Sequence, residues 1–269
     1  VTGEVLPNKL GITDAAQLQQ YEERVAALRI IEIAAEPERF GGDFSFAHLQ
    51  RIHEHILQDV YDWAGEMRTT NTQAMGMPHC RAEFLPEETA RVFNDLQRDL
   101  PLSSDVDQAL ATVADHWGEL TALHPFRDGN SRSQRVFVDF MLRDAGHEVD
   151  WERVDAAAVH AARHVAMRSD SEYLEAELRP GVVPGSSAVS LGTAQSRDAG
   201  RAVELYVEMM KHRETGRPAA EFHRERIRAE QRRTAARKQA AARKGAERTR
   251  RVDRAPRPGP DTGPPPMRR

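Results

Sequence analysis

Apolar residues recur at spacings of three and four along most of the first 178 positions, the period of an amphipathic helix. Leu18, Tyr21, Val25, Leu28 and Ile31 lay one such stripe along a helix predicted over Gln17–Ala35. Ser45 is an N-cap residue, and Leu49, Ile52, Ile56 and Val60 form the stripe behind it, with Tyr61 and Trp63 at its end. The period then breaks. Residues 68–85, RTTNTQAMGMPHCRAEFL, put Thr-rich and mixed arms around a Gly-Met-Pro centre, which predicts a small hairpin. Helix returns over Pro86–Leu100, Asp105–Leu123, Asn130–Ala145, Trp151–His164 and Asp170–Leu178. The expectation is an all-α bundle carrying one small β-hairpin, with residues 1–179 as its domain.

Residues 180–196, PGVVPGSSAVSLGTAQS, have the composition of a linker. Residues 197–251 are rich in Arg, Ala, Glu and Lys, with high helix propensity and little apolar stripe after Met210. Residues 252–269 are rich in Pro and Arg and are expected to be disordered. Charge follows the same division. Residues 197–269 hold 21 basic and 10 acidic side chains, a net of +11; residues 1–196 hold 17 and 32, a net of −15. An acidic body is a poor general nucleic-acid binder. The basic tail leaves three readings open: a solvated helix, a nucleic-acid contact, or a reduced secretion signal. Its arginines lack interleaved aromatics, so stacking-based readout is not expected.

No run of 18 apolar residues is present, so no membrane span is expected. The start, VTGEVLPNKLG, has neither a basic region nor an apolar core of a signal peptide. The single cysteine, Cys80, excludes an internal disulfide and a zinc–thiolate cluster. Together these point to a cytoplasmic chain.

The densest chemistry lies in HPFRDGNSRSQR, residues 124–135. His124 continues the Leu110–Val113–Trp117–Leu120 stripe, and Pro125 stops the helix there. Asp128-Gly129-Asn130 is a turn whose amides can form an anion-binding nest at the start of the next helix. Arg132 and Arg135 share a face near that start, where positive charge opposes the helix dipole. A bound polyphosphate reverses the sign of that penalty. Asp128 supplies a hard oxygen for Mg²⁺, and His124 a general base.

The stretch resembles the motif HxFx(D/E)GN(G)RxxR of the Fic family (filamentation induced by cAMP). LGITDAAQLQQYE, LQRIHEHILQDVYDWAGEMR and GELTAL are similar to its flanking signatures, so the likeness covers about residues 5–180. It is nearest to Fic toxins of toxin–antitoxin pairs and related type IV secretion effectors. The resemblance implies a helical Fic fold and transfer of AMP from ATP to a hydroxyl side chain of a target protein. It assigns His124 as base, Phe126 as loop anchor and Asp128 as Mg²⁺ ligand. It assigns Gly129, Asn130 and Ser131 to the anion nest, Arg132 to the β-phosphate and Arg135 to the γ-phosphate. It also makes Thr69, Thr70, Asn71 and Thr72 part of a flap that holds the target segment by strand addition.

One position departs from the motif. Ser131 stands where the family has a second glycine, and Ser pays a penalty if that position needs positive φ. Doc toxins, distant relatives, carry Lys there and transfer the γ-phosphate, so a Doc-like kinase and a degenerate scaffold are the alternatives. The inhibitory motif (S/T)xxxE(G/N) is missing, since no Glu in this chain precedes Gly or Asn. The resemblance then implies restraint by a separate small antitoxin supplying the Glu. It also suggests a type II topoisomerase subunit (DNA gyrase or topoisomerase IV) as target, with delivery as a translocated effector as a variant.

Overall fold

In a computed structural model, residues 5–184 and 199–253 are described. The first unit runs to His223. Its helices are α1 (Ala15–Ala35), α2 (Pro37–Phe40), α3 (Phe46–Leu57), α4 (Leu85–Arg98), α5 (Val106–Leu123), α6 (Asn130–Asp144), α7 (Ala156–Ala166), α8 (Glu172–Leu178) and α9 (Ala199–Arg213). Two antiparallel strand pairs are present among the described residues: β1 (Gln73–Ala74) with β2 (Met77–Pro78), and β3 (His147–Val149) with β4 (Val182–Pro184). A last helix, α10 (Ala219–Asp253), carries the chain into the second unit, which begins at Arg224. The fold is all-α with small strand pairs, as the periodicity predicts.

The helices start where caps allow. Ser45 accepts from the His48 amide at the start of α3, and Asp105 accepts from the amides of Asp107 and Gln108 at the start of α5. The core centres on α5 and α6. Leu110, Val113, Trp117 and Leu120 of α5 are at most 1% exposed, and α6 is buried on every side from Arg132 to Leu142. A helix buried all round needs its polar groups satisfied internally, and this one begins with two arginines.

Helix α1 presents a different face from the expected one. Leu18, Glu22, Ala26, Ile30 and Ile33 are buried, while Tyr21, Leu28 and Ile31 are exposed. The two stripes differ by about one residue, and the buried one contains a glutamate. That glutamate enters the interior because it has partners there: the Arg132 guanidinium and the Tyr61 hydroxyl.

Three further boundaries differ from the sequence reading. Trp151–Arg153 is a single 3₁₀ turn, and α7 begins only after Asp155, which caps it. Val182–Pro184, assigned by composition to a linker, pair with β3, because Val-Val supplies strand-forming side chains after Gly181. The basic segment is two helices separated by a turn through Gly216. The first, α9, packs against the Ala-rich α7 through Ala202, Leu205 and Met209. It is further tied by Arg201–Asp155 (2.6 Å) and Tyr173–His212 (2.7 Å). The rest of the linker (185–196) and the Pro/Arg-rich end from residue 254 lie outside the described residues.

No helix among the described residues is long and apolar enough to cross a membrane.

Candidate active site

The turn from His124 to Gly129 joins the end of α5 to the start of α6. Both ends hold left-handed backbone. His124 caps α5 at φ 47, ψ 61, and Gly129 caps α6 at φ 74. A Cβ on Gly129 would lie 2.5 Å from Leu57 Cδ1 and 3.0 Å from His53 Nε2, so only glycine fits. Phe126 is fully buried and stacks on the His53 ring at 3.8 Å between centroids. Asn130 clamps the turn: its Oδ1 accepts from the Phe126 amide at 3.0 Å, and its Nδ2 donates to the Phe126 carbonyl at 2.7 Å. The Asn130 side chain is thereby committed to the loop, and only its backbone amide faces an incoming anion.

Two residues outside the motif complete the scaffold. The His53 Nδ1 accepts from the Gly65 amide, so its Nε2 carries the proton and donates to the Asp128 carbonyl at 2.8 Å. Burial pushes His53 down to about 4, which keeps that tautomer neutral. Arg68 donates to the carbonyls of His124 (2.7 Å), Leu123 (3.2 Å), Thr70 (2.7 Å) and Cys80. It thus fastens the base of the hairpin to the C-terminal carbonyls of α5, where a cation is favoured.

His124 stacks face to face on His79, 3.7 Å between centroids and 6° between planes. Its Nδ1 is buried without a hydrogen-bond partner, which leaves Nε2 as the nitrogen open to a substrate. Burial first, then the nearby His79 and Arg163, hold its pKa well below the usual histidine value. A neutral imidazole is the form that can take a proton.

At the start of α6 the amides of Arg132 and Ser133 bond to the Gly129 carbonyl. The amides of Asn130 and Ser131 have no hydrogen-bond partner among the described residues, the open donors of a helix N-terminus. Asp128 is exposed, with Oδ1 held by the Gly129 amide at 2.6 Å. No cluster of three His, Cys, Asp or Glu side chains suited to a metal exists among the described residues. A cation at Asp128 would therefore need ligand oxygens as well, which is the usual pattern for Mg²⁺ on a phosphate chain.

Arg132 and Arg135 are both buried. Arg132 pairs with Glu22 through Nη2, which also stands 3.7 Å from Asp128 Oδ1, while its Nη1 is buried without a hydrogen-bond partner. The internal carboxylate offsets part of the cost that the sequence alone leaves unexplained. Arg135 lies over the Trp151 ring at 5.3 Å, and burial with the charge of Arg132 pushes it down to about 10. Ser131 is helical, and the non-glycine residues at positive φ are Phe44, Met75 and His124 among those described. The strain expected of Ser in place of glycine does not arise. Its Oγ instead accepts from Arg163 Nη2 of α7 at 3.2 Å.

The hairpin is shorter than its sequence suggests, a two-residue ladder around Met75-Gly76. Thr69, Thr70, Asn71 and Thr72 precede it. Thr69 to Asn71 are exposed, but Asn71 Oδ1 accepts from the Ala82 amide and Thr72 Oγ1 bonds His79 Nδ1 at 2.9 Å. The hairpin is thereby linked to the ring that stacks on His124.

Glu22, His53, Arg68 and Arg163 escape a reading from the motif alone. His53 and Arg68 fall in the LQRIHEHILQDVYDWAGEMR signature, and Glu22 at Leu18+4 and Ala26−4 is the buried polar position of α1.

The buried histidines predict acid sensitivity. Burial pushes His53, His79 and His164 down to about 4, and His160 to about 3. Between pH 6.5 and 4 the unfolded chain binds protons that the folded one refuses, so stability falls as pH falls. Asp139, pushed up to about 6 by burial, works the other way between about 6 and 4, but it is one group against several histidines, His124 among them. Thermal melts followed by circular dichroism at pH 7 and pH 5 are expected to show a midpoint lower by several degrees at pH 5.

A neutral histidine beside a helix N-terminus with open amides, backed by buried arginines, places a proton acceptor next to groups that suit an anion. The chain belongs to the Fic/DOC family, which it matches over residues 43–142. It is 34% identical over 177 residues to a probable protein adenylyltransferase, y4lH, of Sinorhizobium fredii, covering 65% of this chain and 90% of that one. It is 30% identical over 176 residues to the protein adenylyltransferase VbhT of Bartonella schoenbuchensis, covering 65% of this chain but 36% of VbhT. In fold it is similar to BepC, a VirB-translocated effector of Bartonella tribocorum solved with bound AMPPNP. The TM-score is 0.59 at 23% identity, over 69% of this chain and 96% of that one.

Proposed function

We propose that the chain is a protein adenylyltransferase that moves AMP from ATP to a hydroxyl side chain of a target protein. The observation that carries this reading is the clamped turn. It sets a neutral histidine, an exposed carboxylate and open helix amides within seven residues of one another. The names of the two relatives support the same activity.

In this reading His124 Nε2 takes the proton of the target Tyr, Thr or Ser hydroxyl as its oxygen bonds the α-phosphorus. The bond from that phosphorus to the β-phosphate oxygen breaks, and pyrophosphate leaves. The open amides of Asn130 and Ser131 receive phosphate oxygens, Gly129 supplies the left-handed turn that presents them while its own amide holds Asp128, and Arg132 meets the β-phosphate and Arg135 the γ-phosphate. Phe126 anchors the turn. Asp128 would hold Mg²⁺, whose charge neutralises the α- and β-phosphate oxygens. Thr69 to Thr72 would guide the target segment alongside the hairpin. In this reading the chain acts as a toxin or effector, in keeping with the VirB-translocated description of BepC, and a separate antitoxin would restrain it. A type II topoisomerase subunit is the first target to try.

The test is mass spectrometry of the target after incubation with ATP and Mg²⁺, beside a His124→Asn control. A gain of one AMP moiety, absent from the control, is expected. A gain of one phosphate would convert the reading to a Doc-like kinase. No gain on any protein offered, the chain itself included, would leave the scaffold alternative standing.

A further inference from the structure

The motif accounts for two arginines at the start of α6, but the fold brings a third. Arg163 of α7 is 2% exposed. Its guanidinium donates to Gln134 Oε1 at 3.1 Å and to Ser131 Oγ at 3.2 Å, and it lies 3.2 Å from His160 Nδ1. Every one of those partners is neutral, and no carboxylate reaches Arg163 among the described residues. The Trp117 ring, 5.3 Å away, offers only a partial counterweight. A buried cation without an anion is costly, and this one stands in a cluster with two others.

The three arginines line one recess, together with Ser131, Trp117, Trp151 and His160. Two further facts say what the recess takes. Arg132, one of the lining residues, is 5% exposed, and its buried Nη1 has no hydrogen-bond partner. The open volume is about 40 Å³, several times the roughly 10–15 Å³ that one water occupies by the same measure. That is room for a phosphate-sized group. Positive charge from three arginines and a small volume fit one terminal phosphate.

We propose that Arg163 is a third phosphate-binding arginine, which closes on the terminal phosphate of a polyphosphate and is held ready by Ser131. This rests on the adenylyltransferase reading for the identity of the ligand, ATP, but not for its charge. In the free protein the Ser131 hydroxyl and Gln134 amide keep the guanidinium oriented. With ligand, its remaining donors turn on the γ-phosphate beside Arg135, and during transfer they stabilise the charge growing on the departing pyrophosphate. The serine that replaces the motif glycine thereby acquires a role, as the acceptor that pre-orients Arg163. Burial and the charge of Arg135 push Arg163 down to about 10, and the approach of phosphate restores it.

The experiment is calorimetric titration of the full chain with ATP, AMP and inorganic tripolyphosphate, for the wild type, Arg163→Met and Arg163→Lys. Circular dichroism confirms that each variant is folded. The expected result is at least a tenfold loss of ATP and tripolyphosphate affinity in R163M, with AMP affinity within about twofold and partial recovery in R163K. Equal losses for ATP and AMP, or unchanged ATP affinity with a lower melting point, would make Arg163 structural and overturn the proposal. Tripolyphosphate binding that depends on Arg163, without AMP transfer to any target, would refute the adenylyltransferase reading and leave this site standing. A wild type that binds neither ATP nor tripolyphosphate would refute the site.

Discussion

Replacing His124 with asparagine is expected to slow AMP transfer by roughly 10²–10⁴, the usual contribution of a positioned general base, while ATP affinity stays within about threefold. Asparagine is the informative substitution because residue 124 sits at φ 47, and Asn tolerates left-handed backbone where Ala does not. Loss of activity in H124N then reports the missing base rather than a distorted end of α5. The wild type should also show no acidic fall in kcat/KM near pH 6.5. His124 is held well below that value by burial and by the charges of its neighbours, so the active deprotonated form is already full at pH 6. Single-turnover mass spectrometry from pH 6 to 8 checks both statements. A titrating limb at 6.5, or substantial transfer by H124N, would remove His124 from the base role.

What the sequence discloses about this site follows from how local each feature is. The turn 124–130 is legible because its determinants are contiguous: a proline that stops α5, a glycine and asparagine that permit left-handed backbone, and a helix that starts at once. The helix periods of α3 and α5 are equally local, and their buried stripes fall where the spacing puts them. Helix α1 shows the limit. Its hydrophobic stripe through Tyr21, Leu28 and Ile31 is plausible by period, yet the buried face runs through Glu22. Period alone cannot anticipate that a carboxylate enters a core, because the reason lies 110 residues away at Arg132. Arg163 is illegible for the same reason: nothing in VHAARHVA marks the arginine as facing Ser131. Helix α9 shows the converse. Its basic composition suggests solvation, but Ala202, Leu205 and Met209 are enough to dock it on a helix of alanines. Ser131 is the instructive case for motif reading. A glycine in a motif suggests a conformational need, but here the need falls on Gly129, and position 131 is ordinary helix.

Replacing Gly129 with alanine should have the largest effect on the folded site. Two penalties combine. The backbone at φ 74 costs an L-residue about 1–2 kcal/mol, and the new methyl at 2.5 Å from Leu57 Cδ1 adds an overpacking cost of about 1–3 kcal/mol. Gly11 separates them, because it has φ 64 and nothing within 4 Å of the position a Cβ would take. Gly11→Ala should therefore pay the backbone penalty alone. Urea denaturation of both variants is expected to place G129A about 1–3 kcal/mol below G11A. The functional loss should exceed the loss in stability. Relief of the clash requires the turn to move away from α3, which breaks the bond from His53 Nε2 to the Asp128 carbonyl and swings the open amides of α6 off the phosphate position. ATP affinity should then fall at least tenfold in G129A and stay unchanged in G11A. If G129A instead matches G11A in stability and retains ATP binding, the turn has slack, and the packing of Leu57 and His53 against it does not set the anion site.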